Sequence, residues 1–490
     1  MVLKRLSKCF IALIATLMAF GAQAQTKVFD KIIAIDGTGD YTSIGTAISM
    51  YSSSRKVFFV KNGTYNEKIL IDALKTNIRL IGESVNGVII INNDYAGKSA
   101  KSSSTADSYT FRVEGNGFYA ENITFQNTAT QAQAVAIYTL ADTIAFKNCH
   151  FYGYQDTHYA DNGRQYYLNC ETRGDVDFIF GSAAAMYENS VIISRSRKGG
   201  YLTAPSTAVI TSAKPGGGTL CHGILIKNSQ LQAETGLADN TCYLGRPWGT
   251  NASSVFIKCK LGSHIKPEGW SVWTTDPAGE GYNNHLSAFF AEYNSTNLSG
   301  DPVNISQRVT WSQQLSTSDT ALYSISNYFK GWDPTIKTNA LAAPTNVNIK
   351  NDSLKWNAID GSRGYAILRN DSVIGFSVTP GYNITGKLTQ SYRVKTVNKF
   401  GALSDVSQIA IHTNAKFIKQ TTNNYSIYVS NGTLYIPENE KTEIFNMAGV
   451  LVKTSVLEQE IPINDLNNGL YIVKITLDKR GTIISQKIFK

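Results

Sequence analysis

The chain has 490 residues, 42% hydrophobic and 17% charged, and carries a net charge of +9. That length exceeds the usual ~100–200 residues per domain and predicts two or three domains, while the composition excludes a disordered or membrane-embedded chain. The basic excess is not a field for binding polyanions: residues 1–25 carry +3 and 336–490 carry +7, whereas 26–335 carry −1, and no nucleic-acid motif accompanies it.

At the N-terminus, Lys4, Arg5 and Lys8 precede an apolar run over 9–20, and Ala22-Gln23-Ala24 follows as an A-x-A cleavage site. This pattern predicts a signal peptide over 1–24 and export. The run is shorter than the ~20 residues a membrane span needs, so no span is expected in the mature chain. Of six cysteines, Cys9 falls in this segment. The five that remain leave at least one thiol unpaired or intermolecular, and the pairing of Cys221, Cys242 and Cys259 stays open.

Farther along, a motif recurs. ITFQN ends at Asn127, IAFKN at Asn148, QYYLN at Asn169 and AMYEN at Asn189, in steps of 21, 21 and 20 residues. An aromatic (Phe125, Phe146, Tyr167, Tyr187) lies two residues before each Asn, and a small side chain (Thr128, Cys149, Cys170, Ser190) follows it. An echo ends at Asn228, about two periods on. Repeats of this length made of short alternating runs predict a solenoid of strands. The Leu framework of a leucine-rich repeat is missing. The expected fold is an all-β, right-handed parallel β-helix with an Asn ladder at a turn, with a meandering β-sandwich as the alternative. Successive coils would lie ~4.8 Å apart. Cys149 and Cys170, one period apart, would then have Cα atoms within the ~4.4–6.8 Å a disulfide accepts, and a bridge between them is expected.

The same register stacks two carboxylates, because Asp156 and Asp177 each lie eight residues after a ladder Asn. Close carboxylates do not both ionise easily, so one holds a proton while the other is an anion. That division suits a general acid and a nucleophile. On spacing alone, Asp residues capping two turns fit equally well.

The surrounding residues resolve that choice. Gly153-Tyr-Gln-Asp-Thr157 and Gly174-Asp-Val-Asp-Phe-Ile-Phe-Gly181 resemble two signature motifs of the pectin methylesterase family. Gly63-Thr-Tyr-Asn-Glu67, Gln133-Ala-Val-Ala-Ile137, Leu244-Gly-Arg-Pro-Trp248, Pro267-Glu-Gly-Trp270 and Gly331-Trp-Asp-Pro334 resemble others, in the family's order. The resemblance covers residues 28–335 and implies a parallel β-helix with an aspartyl esterase site that needs no metal and no cofactor. Residue by residue, it implies that Asp177 is the nucleophile, Asp156 the proton donor, Gln155 the transition-state stabiliser and Gln133 its neighbour on the substrate. Arg246 would hold the nucleophile ionised, since a guanidinium grips a carboxylate with two hydrogen bonds. Trp248 would stack on a sugar, and Thr110 matches a substrate-contacting position. Two departures stand out. His158 occupies a position where the family often has Leu and is expected to point to solvent. Tyr201-Leu-Thr-Ala-Pro-Ser206 replaces a Gln-Gly-Arg run at one rim.

Beyond Pro334, an Ala/Thr/Asn-rich linker over 338–345 marks a boundary. Short strands over 344–412, with Trp356 and Ser391-Tyr-Arg-Val394, resemble a fibronectin type III module. Residues 425–490 resemble a type IX secretion sorting domain through Ile444-Phe-Asn-Met-Ala-Gly449, Leu466-Asn-Asn-Gly-Leu-Tyr-Ile-Val-Lys474 and the closing Ile-Phe-Lys490. The expected whole is a β-helix followed by two small β-sandwiches. It would be a secreted or cell-surface monomer whose partners are methyl-esterified polygalacturonate and the export machinery. A β-helical lyase or galacturonase, a non-catalytic adhesin and a thioester hydrolase are the other readings. A lyase would call for Ca²⁺ and a basic proton abstractor.

Overall fold

Short strands separated by left-handed turn residues dominate the computed structural model. It describes residues 27–490 apart from 52–55, 198, 214–218, 351, 385–390, 413–426, 431, 438 and 478–482. The expected signal peptide lies outside the described residues. Residues 27–348 and 352–410 form one compact unit, and residues 349–351 with 411–490 form another.

Within the first unit, the described residues build three parallel sheets of eleven, nine and seven strands. One coil shows the plan. Ile144–Lys147 lies in the eleven-stranded sheet, His150–Tyr152 in the nine-stranded sheet and His158–Ala160 in the seven-stranded sheet, and Arg164–Leu168 then starts the next coil. Successive coils pair in parallel register, for example Phe146 with Tyr167 and Tyr167 with Tyr187. This is a parallel β-helix. Its lumen holds Phe111, Phe125, Phe146, Phe151, Tyr167 and Tyr187, none of them exposed. Tyr167 stacks on Phe146 at 5.3 Å and on Tyr187 at 4.4 Å, so one aromatic per coil makes a continuous column. The short helix Ile44–Ser49 buries Ile44, Ala47 and Ile48 in the same core. Glu67, from the Gly-Thr-Tyr-Asn-Glu motif, accepts from the N–H groups of Ile44 (2.9 Å) and Gly45 (2.8 Å) at the start of that helix. That motif therefore does a structural job.

The repeat has a conformational cause. Asn122, Asn148, Asn169, Asn189 and Asn228 all have φ between 50° and 57°, the left-handed region that Asn tolerates better than most residues. One such residue turns each of these five coils from the eleven- to the nine-stranded sheet. Two parts of the expected alignment are corrected here. Asn127 is not the equivalent of Asn148, because Phe125 pairs with Phe151 and Asn127 with Asn92 in the nine-stranded sheet. The ladder partner is Asn122, whose side-chain oxygen accepts from the Asn148 amide. Asn228 is one coil beyond Asn189, since Ala184–Glu188 pairs directly with Ile224–Lys227. The extra length is an excursion after Tyr201–Pro205, the coil's strand in the seven-stranded sheet, and it carries the hairpin of Thr211–Ala213 with Thr219–Cys221.

The expected disulfide is also corrected. Cys149 and Cys170 lie on neighbouring rungs, but both thiols are free. Each donates to the carbonyl two residues before it, Lys147 or Leu168, at 3.4 Å. In a parallel, in-register stack the Cα–Cβ bonds run side by side, so Cβ atoms stay as far apart as the coils, ~4.8 Å. A disulfide needs ~3.5–4.5 Å.

After the last coils the first unit continues into an antiparallel module. Its strand Ser362–Arg369 is flanked by Ser372–Ser377 and Tyr392–Asn398, and Ser353–Lys355 pairs with Gly381–Asn383. The second unit has two antiparallel sheets of its own. One joins Tyr428–Ser430, Thr433–Tyr435 and Glu460–Pro462, and the other runs Leu451–Ser455, Lys441–Asn446, Leu470–Thr476, Ile483–Phe489. They enclose Leu434, Ile444, Ile463, Val473 and Ile475.

Candidate active site

The turns from the nine- to the seven-stranded sheet carry the acidic residues. Asp156 has φ 62° and Asp177 φ 50°, so both sit in the strained left-handed region, on successive coils tied by the Asp156 N–H donating to the Val176 carbonyl at 3.0 Å. Glycines make these turns possible. A Cβ on Gly174 would lie 2.1 Å from the Phe178 Cβ, and one on Gly153 would lie 2.6 Å from the Thr157 hydroxyl. The glycine that opens each motif is thus required by the close return of the chain.

Asp177 is 6% exposed. Arg246 donates to it twice, Nε to Oδ1 at 3.0 Å and Nη2 to Oδ2 at 2.6 Å. This fork fixes the carboxylate plane. Burial raises the Asp177 pKa, and the Arg246 hydrogen bonds and charge pull it back. Asp156 has no such partner. Burial, then the Asp177 charge, push it well above the usual carboxylate range. Both carboxyls are pushed up, but Asp156 further than Asp177, so Asp156 is the one favoured to hold a proton and Asp177 the one held toward its anion.

Arg246 is itself held between rings, 3.9 Å from the Tyr201 centroid and 4.2 Å from that of Trp273. Neither ring was named as a site residue from the sequence. Tyr201 stands in the stretch noted as a departure, and Trp273 follows Pro267-Glu-Gly-Trp270 by three residues, whereas Trp270 lies in the core, 1% exposed. A second missed pair steadies the turn. Asp175, two residues before Asp177, is buried and accepts from Arg197 Nε at 2.6 Å, while Arg197 Nη1 donates to the Thr130 carbonyl at 2.8 Å. Arg197 so links the Asp177 turn to the segment leading to Gln133.

Gln133 and Gln155 lie on successive coils, with the Ala134 N–H donating to the Gln155 carbonyl at 3.1 Å. Both are partly exposed, and among the described residues neither side-chain amide is hydrogen-bonded within the protein. Both keep N–H donors free for an oxyanion. Trp248 is 39% exposed and lies edge-on to Phe180 at 6.0 Å and Tyr159 at 6.3 Å. Tyr138, Tyr159 and Phe180 stack face to face along the outside of the seven-stranded sheet at 4.4 and 4.2 Å, a column in which Tyr138 and Phe180 are buried. Thr110 is fully buried, and its hydroxyl donates to the Gln126 carbonyl at 3.0 Å, so it offers no free group to a sugar. A separate groove of about 700 Å³, lined by Asp239, Asn297 and Arg308, contains none of these residues.

His158 does not point to solvent, contrary to expectation. It is fully buried in the lumen, on the far side of its strand from the turn. Tyr167 donates its hydroxyl to Gln165 Oε1 at 2.6 Å, so at 2.9 Å its oxygen accepts from His158 Nε2, and Nδ1 accepts from Tyr187 at 3.2 Å. Burial lowers its pKa to about 3. The imidazole is a neutral link in a buried hydrogen-bonded chain.

The family model described as Pectinesterase matches residues 30–332, and that described as Secretion system C-terminal sorting domain matches 421–490. The chain is 36% identical over 290 residues to a probable pectinesterase/pectinesterase inhibitor 6 of Arabidopsis thaliana, covering 58% of this chain and 48% of that protein. It is 34% identical to the Arabidopsis protein numbered 17, covering 64% and 60%. The chain thus spans about half the length of the curated relatives it matches. Among solved structures, it resembles a pectin methylesterase from carrot (30% identity, TM-score 0.53, 62% of this chain and 93% of that one). It also resembles pectin methylesterase PemA from Erwinia chrysanthemi (28%, TM-score 0.53, 63% and 98%).

Proposed function

The chain belongs to the pectinesterase family, and from that premise we propose that it hydrolyses the methyl esters of polygalacturonate, releasing methanol, through an acyl-enzyme on Asp177. The observation that carries this reading is the unequal pair: Asp177 gripped by Arg246 at 3.0 and 2.6 Å, next to Asp156, which forms no ion pair among the described residues and feels Arg246 only at a distance.

Asp177 attacks the carbonyl carbon at C6 of a galacturonate unit. The carbonyl electrons move to oxygen, and the side-chain N–H groups of Gln155 and Gln133 stabilise that oxyanion. Its collapse breaks the bond to methoxide, and Asp156 supplies the proton that makes methanol. The product is an anhydride between Asp177 and the sugar carboxyl. Asp156, now an anion, takes a proton from water. The hydroxide so formed adds to the sugar acyl carbon, and Asp177 departs as carboxylate while Asp156 is left protonated. The exposed ring of Trp248 suits the apolar face of the polymer. The chemistry is complete with these side chains, so the reading calls for no metal or cofactor.

The sorting domain makes the protein a secreted or cell-surface one, and no helix among the described residues is long and apolar enough to cross a membrane. We read residues 28–335 as the catalytic domain and 425–490 as the sorting domain, in a monomer. Residues 344–412 read as a fibronectin type III-like module, a reading supported by the antiparallel strands and by Trp356 packed edge-on to Tyr365 at 5.0 Å.

Methanol release from highly methylated pectin, compared between wild type and Asp177→Ala, tests the function. Methanol from the wild type alone is expected. No methanol from well-folded wild type across a range of pH overturns the reading.

A further inference from the structure

Residues 333–420 fall in neither matched family model, and they contain a folded module. We propose that this module is a permanent cover for the outer face of the eleven-stranded sheet over its first coils, and not a mobile sugar-binding appendage. The inference goes beyond the esterase reading and does not depend on it.

The covered face is apolar. Phe59, Ile81 and Tyr119, outward-facing on successive coils, are each 0% exposed because Ala366, Val397 and Leu403 of the module lie over them in one core cluster. Phe29, Phe59 and Phe376 form a trio of rings with centroids 4.8 to 5.1 Å apart. Bare, such a face would be a contiguous apolar patch of the kind soluble proteins avoid. Polar groups across the joint are matched as well. The Val373 N–H donates to Glu83 at 2.7 Å, Arg363 pairs with Asp30 at 3.1 Å, and Arg79 lies over the Phe400 ring at 4.6 Å. Glu121, 3% exposed on the coils, accepts from the Leu403 N–H at 3.3 Å and pairs with Lys147 at 3.5 Å.

Two glycines mark how closely the surfaces meet. A Cβ on Gly401 (φ 95°) would lie 2.7 Å from Val57 Cγ1, and one on Gly364 would lie 2.5 Å from Val28 Cγ2. The connection between the parts is equally fixed. Lys337 donates to the carbonyls of Gly117 and Thr143 at 3.1 and 2.9 Å, and the carbonyls of Asn339 and Ala342 accept from Asn398 and Thr396 at 2.9 and 2.8 Å. A sugar-binding role lacks its usual platform. Of the aromatics in 341–410, Trp356, Tyr365 and Tyr392 are in the module's core, Phe376 and Phe400 face the coils, and the Tyr382 hydroxyl donates to the Ile374 carbonyl.

Hydrogen exchange followed by mass spectrometry on the full chain, with increasing denaturant, tests this. Strands Val57–Val60 and Arg79–Gly82 of the coils and Ser362–Arg369 and Tyr392–Asn398 of the module are expected to lose protection together. Gly401→Ala should shift all four to lower denaturant by the same amount, with thermal unfolding lower by roughly 5 °C. Asp30→Asn, which leaves the packing intact, should produce the same joint shift on a smaller scale. If the module's strands open at lower denaturant while the coils keep their protection, in wild type or either variant, the proposal fails. It fails equally if pectin oligosaccharides protect the module's exposed edge and leave the coils unchanged.

Discussion

Each of the two coils that carry the acidic residues makes two turns with a residue in the left-handed region, and the two kinds of turn put that conformation to opposite uses. At one, Asn148 and Asn169 bend the chain from the eleven- to the nine-stranded sheet; Asn148 bonds to its neighbour in the ladder, and Asn169 is exposed. At the other, Asp156 and Asp177 bend it into the seven-stranded sheet, where Asp177 is buried and Asp156, on the adjoining coil, is half-buried. The backbone geometry is nearly the same. What separates scaffold from chemistry is a charge with restricted access to solvent, whose cost the surrounding fold must carry.

Asp156→Asn breaks that contrast where its effect is largest. Removing the proposed proton donor should lower kcat for methanol release by roughly 10²–10⁴-fold, and the fall in wild-type activity as Asp156 loses its proton at rising pH should disappear. Stability should move the other way. The folded protein raises the Asp156 pKa, so it holds a proton that the unfolded chain has released above ~4. The native state then binds more protons, and stability falls as pH rises. Asp156→Asn should therefore be the more stable protein at neutral pH, with the difference closing toward pH 4. Thermal unfolding at several pH values measures it, and a variant less stable than wild type at pH 7 would count against a half-buried, strained acid.

Arg246→Lys keeps the charge but loses the fork and the flat face that fits between Tyr201 and Trp273. A loss of about 10²-fold in kcat is expected from misdirected attack. Because Arg246 lowers the Asp177 pKa, weaker pairing should move the acid limb of the pH–rate profile upward. An unchanged limb would mean that charge alone sets the nucleophile's ionisation.

What could be read in the sequence follows the same division. Left-handed turns leave a mark, because Asn recurs where the backbone demands it, and that mark carried the coil and the stacked carboxylates. The register was legible only where coils keep their length. Asn127 looked like a ladder residue because the sequence around it, in a neighbouring sheet, has the same hydrophobic pattern, and the excursion over 206–223 made one coil look like two. Side-chain direction was not legible: parallel stacking that brought Cys149 and Cys170 to adjacent rungs also kept their Cβ atoms apart, and His158 faced inward because alternate strand residues do. Tyr201 and Trp273 around Arg246, and the module over Phe59 and Tyr119, join residues tens to hundreds of positions apart, and no local pattern records such pairings.

The scaffold turn provides the smallest and most exacting effect. Asn169 is exposed with φ 53°, so its value lies in the backbone it permits and hardly in contacts. Asn169→Ala should destabilise by about 1 kcal/mol, the cost of placing an ordinary Cβ in the left-handed region. Asn169→Gly should be close to neutral, because glycine accepts that region freely while its added chain entropy in the unfolded state offsets the gain. Both variants should keep wild-type kcat and the same pH profile. Chemical denaturation gives the stability differences, and methanol release gives the activity. Should Asn169→Ala reduce kcat while sparing stability, the ladder turn would be transmitting position to Asp177, eight residues on, and the separation between scaffold turn and chemical turn would be lost.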